Sequence, residues 1–445
     1  MATAVQPAAH RVGRLMLGVG TGAPVNPLAG EPALSKVDRE ALAVLLSVDG
    51  LGPLTIGRLV EVAGSTASVL ELARRPNGAR VLVEASRTAG DGERAMPTVV
   101  ADRIVEALAT ADRTLTDIER LHLRLVVPSD REYPQRLRAI EVPPAGLFVR
   151  GTLESLAEAH VVAVVGTRHP SPTGRRVASR IGAALVRASA VVVSGLAVGI
   201  DGAAHAAVIA EGGRTVAFIG GGHARLYPAA HDRLASAIVD GGGAVVSEYA
   251  PFTEPSRGTF PQRNRLISGA SDAVVVVEAG ARSGALVTAS WALEQGRECY
   301  LVPGPIDAPA SAGCNGFLRD WHDLAKIVSG VPQLLDDLGL AAEAGLPVLR
   351  APDPKPTNGT AIVSPHIRLP SASSVLRNSQ PADRAVAEAV IHGAVTADEL
   401  VAVTRLSIGA VLGALTRLES RGLVRPTHGR YEPVGPLAGV DPMAA

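Results

Sequence analysis

From residue 125 to residue 304 the chain alternates short, unbroken runs of branched aliphatic side chains with longer stretches whose apolar positions return at helical spacing. Strands are predicted at 161–165, 191–193, 216–219, 244–247, 273–277 and 299–302, with helices between them at 174–187, 202–211, 229–240, 263–269 and 284–295. A strand that is apolar at every position has both faces covered, and strands separated by helices run parallel. With right-handed crossovers these elements make an α/β fold, a doubly wound, Rossmann-like, mostly parallel sheet. Ligands of such sheets sit at the carboxyl ends of the strands.

The flanks read differently. Residues 37–75 are helical: the apolar positions Leu42, Val44, Leu45 and Leu46 stop at Gly50-Leu51-Gly52-Pro53, and a second helix runs from 55 to about 62. Two short helices around a Gly-Leu-Gly turn make either a helix-hairpin-helix element or a plain helical hairpin. Residues 78–96 read as a loop and 99–121 as one further helix. Pro, Ala and Ser dominate 339–380, which reads as a linker. Helices at 382–391, 396–403 and 407–421, followed by a short hairpin, match a winged helix-turn-helix. Its third helix offers Arg417 and Arg421, both late, whereas base contacts come from the first turns. The expected organisation is a disordered leader (1–36), an N-terminal helical domain of helix-hairpin-helix or SAM-like type (37–121), the Rossmann-like domain (122–338), a linker (339–381), the winged helix (382–435) and a tail (436–445).

Composition narrows the chemistry. The 445 residues are 47% hydrophobic but only 3% aromatic, so the cores are built from Val, Ala, Leu and Ile. Net charge is zero, so any electrostatic binding comes from local clusters. Lysine occurs only at Lys36, Lys326 and Lys355, which leaves arginine as the cation. Two cysteines, Cys299 and Cys314, exclude a disulfide framework and a four-cysteine metal site. No apolar run is long enough to span a bilayer, and Gly18, Gly20, Gly22 and Pro24 interrupt the leader, so a cytoplasmic protein without a signal peptide is expected.

Each predicted strand ends in small or polar residues: Gly166-Thr167-Arg168, then Ser194-Gly195-Leu196-Ala197 with Gly199-Ile200-Asp201, then Gly220-Gly221-Gly222, Ser247-Glu248-Tyr249, Glu278 with Ser283-Gly284, and Pro303-Gly304. Glycine admits close backbone approach, and successive N–H groups in such turns form anion nests. The run Phe260-Pro261-Gln262-Arg263-Asn264-Arg265 adds two guanidinium groups next to a helix N-terminus, and Arg168 adds a third. An anion site, phosphate above all, is the expectation.

Three enzyme classes meet this pattern unequally. A nicotinamide-dependent oxidoreductase needs G-x-G-x-x-G after the first strand, where Gly166-Thr167-Arg168-His169-Pro170 stands. A kinase or NTPase needs a loop ending in Gly-Lys-Ser/Thr, which the sequence lacks. A hydrolase could draw on Asp201, His205, Glu248 and Glu278 as an acid/base cluster. The alternative is that Asp201 caps its helix, His205 packs above it and the glutamates orient the arginines. No metal, cofactor or catalytic residue is expected.

The residues also resemble a family, the DNA-processing protein A (DprA/Smf) proteins. The resemblance rests on Gly166-Thr167-Arg168, the run from Ser194 through Asp201 with Ala204-His205, Tyr227-Pro228, Ser247-Glu248-Tyr249, Pro261-Gln262-Arg263-Asn264-Arg265, Ser283-Gly284-Ala285-Leu286-Val287-Thr288-Ala289 and Pro303-Gly304. These motifs cover about 125–335, and Tyr133-Pro134 and Pro143-Pro144 also fit. The resemblance implies a protein that binds and protects single-stranded DNA, helps load the RecA recombinase during natural transformation, and works as a homodimer through its Rossmann-like domain. It assigns phosphate contacts to Arg168, Arg263 and Arg265, N–H and hydroxyl donors to Ser194, Gly195, Ser283, Gly284 and Thr288, and places Gly166, Thr167, Gly199 and Asn264 at the same DNA-binding site. The chain departs from the family pattern at Gly220-Gly221-Gly222-His223-Ala224-Arg225, at Arg319-Asp320-Trp321-His322 and in its scarcity of lysine, which bears on affinity. The related nucleotide phosphoribohydrolases carry a glutamate where Val287-Thr288 stand, so that reading lacks its base. With so few aromatic residues, base stacking is expected to add little, with Phe252, Phe260 and Tyr249 the nearby candidates.

Overall fold

The structure is a computed structural model that describes residues 34–88, 95–256, 258–341, 380–392, 396–420, 423–427 and 430–433. Most of the expected leader and linker, the tail and Arg421 lie outside the described residues. The chain divides into two compact units, Met1–Ala351 and Pro352–Ala445.

Among the described residues the first unit opens with six helices: Lys36–Leu46 (α1), Pro53–Ala63 (α2), Thr66–Arg74 (α3), Gly78–Thr88 (α4), Thr98–Leu108 (α5) and Ala111–Arg120 (α6). Ser35 and Ser65 cap α1 and α3 by accepting from Asp38 N and Ser68 N. Two expectations fail. The stretch read as a loop forms α4, because Leu82 and Ala85 meet the apolar faces of neighbouring helices and that packing outweighs a polar local sequence. The single helix over 99–121 is broken at Thr110, whose hydroxyl and N–H both turn back onto the Ala107 carbonyl.

Nine strands form one sheet in the order β1-β2-β6-β5-β4-β3-β7-β8-β9. They are Arg124–Val126 (β1), Leu147–Gly151 (β2), Val161–Val165 (β3), Val191–Ser194 (β4), Thr215–Phe218 (β5), Ala244–Ser247 (β6), Ala273–Val276 (β7), Glu298–Leu301 (β8) and Ala325–Ile327 (β9). The six predicted strands are present and parallel, while β1 and β2 join antiparallel at one edge and β9 extends the other. Helices Gln135–Arg138 (α7), Pro172–Arg187 (α8), Ile200–Ala210 (α9), Asp232–Asp240 (α10), Thr259–Gly269 (α11), Gly284–Glu294 (α12), Ala312–Asp320 (α13) and Val331–Asp337 (α14) cover it. The helix predicted from 229 opens as a 3-10 turn, Ala229–His231, before α10.

Strand alternation divides the core into two layers. Ala163, Val193, Phe218 and Val276 face α11, α12 and α13, while Val162, Val164, Val192 and Val275 face α8, α9 and α14. Cys299 and Cys314 are buried in the first layer, where burial pushes their thiols up to about 12 and about 11 and keeps them neutral. The chain order reverses between β3 and β7, the topological switch point of the sheet.

The helical front end shares a core with the sheet edge. Leu125, Val127 and Phe148 turn from β1 and β2 into the cluster of Leu42, Leu45, Ile56 and Leu59. Arg39 fastens the seam by donating to both Asp130 carboxylate oxygens at 2.7 Å and to the Leu125 carbonyl.

In the second unit Pro381–Ile391 (α15), Ala397–Thr404 (α16) and Ile408–Ser420 (α17) precede a hairpin of Val424–Thr427 (β10) and Arg430–Pro433 (β11). Thr396 and Glu399 close a capping box on α16. Arg417 is exposed and donates to the buried Asp383 carboxylate of α15 at 2.7 Å. Among the described residues no helix is long and apolar enough to cross a membrane.

Phe148 carries the seam between helices and sheet. Phe148→Ala is expected to lower unfolding free energy by about 3–5 kcal/mol in urea titrations. The same change at the exposed Phe252 is expected to cost less than about 1 kcal/mol.

Candidate nucleic-acid interface

The predicted loops do converge at the carboxyl ends of β3, β4 and β5, but the N–H groups there already have an anion. Asp201, in the first turn of α9, is buried, and its Oδ2 accepts from Gly195 N at 3.1 Å and Ala197 N at 3.4 Å. Gly166 N hydrogen-bonds to the same carboxylate. Burial pushes the Asp201 carboxyl up, while Arg263 and these N–H groups pull it back toward the ionised form. Gly199 makes the turn possible at φ 93°, a conformation in which a side chain would strike the Thr167 carbonyl.

A second carboxylate fills the neighbouring helix end. Glu278, following β7, accepts from Ser171 N at 2.9 Å and Ser171 Oγ at 2.6 Å, and Ser171 in turn caps α8 by accepting from Gly174 N. Glu278 therefore anchors the β3–α8 loop instead of orienting an arginine. Glu248 matches that expectation, since it pairs with Arg265.

Arg263 and Arg265 do not act together. The sequence around Phe260 and Pro261 was expected to precede a helix, but α11 begins at Thr259 and takes Pro261 in its first turn, where no intrahelical N–H is needed. Two residues apart on a helix means side chains about 200° apart. Arg265 turns to Glu248 and donates to the Val142 carbonyl at 2.7 Å. Arg263 turns into the crevice, only 4% exposed, and its Nη1 donates to the Phe218 carbonyl at 2.6 Å, while its Nε finds no partner. Burial pulls its guanidinium down to about 10 against the opposing pull of Asp201. Gly195 separates the pair, and a Cβ there would collide with Arg263 Nη1.

Other predicted donors are structural. Ser194 is buried and donates to the Val164 carbonyl, tying β4 to β3. Thr288 is buried within α12. Asn264 donates from Nδ2 to the Gly284 carbonyl and so joins α11 to the start of α12, where Ser283 caps the helix by accepting from Ala285 N. Gly284 is exposed.

What the crevice offers at its mouth is a stack. The exposed Arg168 guanidinium lies 4.8 Å from the Phe260 ring centroid, and Tyr227 packs on Phe260 with centroids 5.8 Å apart. Tyr227 is 53% exposed. Sequence reasoning quoted Tyr227 within the Tyr227-Pro228 motif beyond the third-strand loop but gave it no place at the site. Of the other aromatic candidates, the Tyr249 hydroxyl is engaged by Gln262, and Phe252 lies beneath Arg120. Flat π faces beside an exposed guanidinium suit bases and phosphates together.

Behind this mouth His205 sits fully buried. Its Nδ1 contacts Thr215 Oγ1 at 2.8 Å, and that hydroxyl donates to the Val192 carbonyl, so His205 Nδ1 carries the proton and Nε2 is left as a lone pair without a partner. Burial, with His231 and Arg263 nearby, holds His205 down at about 3, and burial holds His223 at about 4 against the ordinary 6.5. Both stay neutral when folded, whereas the unfolded chain takes up protons below pH 6.5. Stability is therefore expected to be full above pH 6.5 and to fall below it, down to about pH 4 for His223 and about pH 3 for His205, by up to about 1.4 kcal/mol per pH unit for each histidine. Protonation of Asp201, whose shift has the opposite sign, offsets part of this fall. Thermal midpoints across that range, compared with those of His223→Gln, check the slope.

Residues 124–339 match the family described as DNA recombination-mediator protein A, and residues 370–430 match the DprA winged helix domain. The chain is 34% identical over 335 residues to Protein Smf of Synechocystis sp., a match covering 72% of this chain and 82% of that protein. It is 36% identical over 337 residues to the putative DNA processing protein DprA of Mycobacterium tuberculosis, covering 72% and 80%. The X-ray structure of DNA processing protein A from Streptococcus pneumoniae superposes with a TM-score of 0.54 at 31% identity, covering 67% of this chain and 96% of that one. Sheet, winged helix and sequence thus agree, and the chain belongs to the DNA processing protein A (DprA/Smf) family.

Proposed function

We propose that the protein binds single-stranded DNA without sequence preference at the carboxyl end of its sheet and protects it as a non-enzymatic carrier. The observation that carries this reading is the open stack of Arg168, Phe260 and Tyr227 above the buried Arg263. A guanidinium reads phosphate and an aromatic face accepts any base, so the contacts carry no sequence information. Gly166, Thr167, Gly195 and Gly199 lie in the loops that meet at Asp201, while Asn264, Arg265, Ser283, Gly284 and Thr288 belong to α11, α12 and their junction and act as support. We also propose, with family membership as the support, that it loads RecA recombinase during natural transformation, works as a homodimer and is cytoplasmic.

Two alternatives are weaker. A phosphoribohydrolase needs a free carboxylate, yet Asp201, Glu248 and Glu278 are each engaged within the protein. A duplex-reading winged helix needs cations early on its third helix, where Ile408 and Leu412 are exposed instead.

Arg168→Ala, an exposed change, is expected to weaken oligothymidylate binding about tenfold and to reduce the slope of log affinity against log salt by about 0.7. Fluorescence anisotropy at two salt concentrations, with duplex competitor, checks both. Unchanged binding by the variant, preference for duplex, or release of free base from nucleoside monophosphates would overturn the reading.

A further inference from the structure

Helix α8 leaves the Arg168 loop and carries three more arginines in its first three turns. Arg175, Arg176 and Arg180 are all exposed, and the opposite face of the helix buries Ala178, Ile181 and Leu185 against the sheet. Arg176 and Arg180 are one turn apart on the same stripe, separated by about 6 Å along the axis. Arg175 flanks them, and Arg168 precedes them at the mouth of the crevice.

These cations are unneutralised. Among the described residues none of the three forms an ion pair, and the one polar contact is Arg176 Nη2 donating to Thr173 Oγ1 at 2.9 Å. The contrast with Arg187 further along the same helix is direct, because Arg187 pairs with Glu211. Only Arg175 lies at the first turn of α8, and Glu278, held at the Ser171 N-cap, already supplies a carboxylate to that helix end. Arg176 and Arg180 lie beyond it with no acid paired to them, and a bound polyanion would neutralise all three.

We propose that the outer face of α8 is a second contact surface for the backbone of a single strand, through Arg175, Arg176 and Arg180, extending the path that begins at Arg168. The inference rests on the single-strand reading of the crevice. It assigns the chain a track longer than the crevice, with the aromatic stack holding bases at one end and helix-borne guanidinium groups holding phosphates beyond it.

The test compares the triple variant R175A/R176A/R180A with the unaltered full chain on two oligothymidylates. One is no longer than a single site of roughly 4–16 nucleotides, and the other is several times longer. The expected result is about tenfold weaker binding of the long oligonucleotide, a salt slope reduced by about 2 (three phosphates at about 0.7 each), and short-oligonucleotide binding within about twofold of the unaltered protein. The Arg→Lys triple variant is expected to keep the slope, which a purely structural role would not require. An unchanged slope on the long oligonucleotide overturns the track, as does an equal loss on both lengths. Absence of binding by the unaltered protein overturns the reading of the crevice itself, which distinguishes the two failures.

Discussion

The strand ends are organised by one buried carboxylate. Asp201 collects N–H groups from the loops after β3 and β4, and Arg263 reaches in from α11 to lie against the same glycine. Three chain segments far apart in sequence are thereby fixed to one point. A buried charge is tolerated only when it is paired and hydrogen-bonded, so each partner makes the others obligatory. Arg263 depends on Asp201 as much as the loops do, since its guanidinium is buried and pulled down to about 10. The exposed Arg168 and Tyr227 flank the half-buried Phe260 at the mouth of the same crevice.

The fold was largely legible. Short apolar runs, valine-rich in four of the six, mark the parallel strands to within a residue or so at each end, because burial on both faces leaves its trace at nearly every position. Strands β1, β2 and β9 escaped notice for the opposite reason. Two of them have three residues, and the pairing of β1 and β2 is antiparallel, without a crossover helix to announce it. Helix α4 escaped because its order comes from tertiary packing of Leu82 and Ala85 and not from its local sequence.

The site was legible as a set of loops and misread as a set of vacancies. Glycines at strand ends marked where backbone approaches something closely. They did not say that the something is the protein's own Asp201. Nor did they reveal that Glu278 holds Ser171, which requires knowing that β7 lies next to β3. The two arginines of the Arg263-Asn264-Arg265 run are separated by helix geometry: two residues apart on α11 they point about 200° from each other, one into the crevice and the other to Glu248.

The self-filled helix ends have a kinetic meaning. A pocket of bare N–H groups and guanidinium groups would grip phosphate deeply, and release would expose a concentrated positive charge to a low-dielectric interior. Here the Asp201 and Glu278 carboxylates already occupy the helix ends, so on the proposed reading a phosphodiester engages only the rim. Departure of the ligand leaves no unbalanced charge behind. On the proposed reading, the grip of such a surface comes from length along the strand, one rim contact after another, and each contact is released without leaving a bare charge.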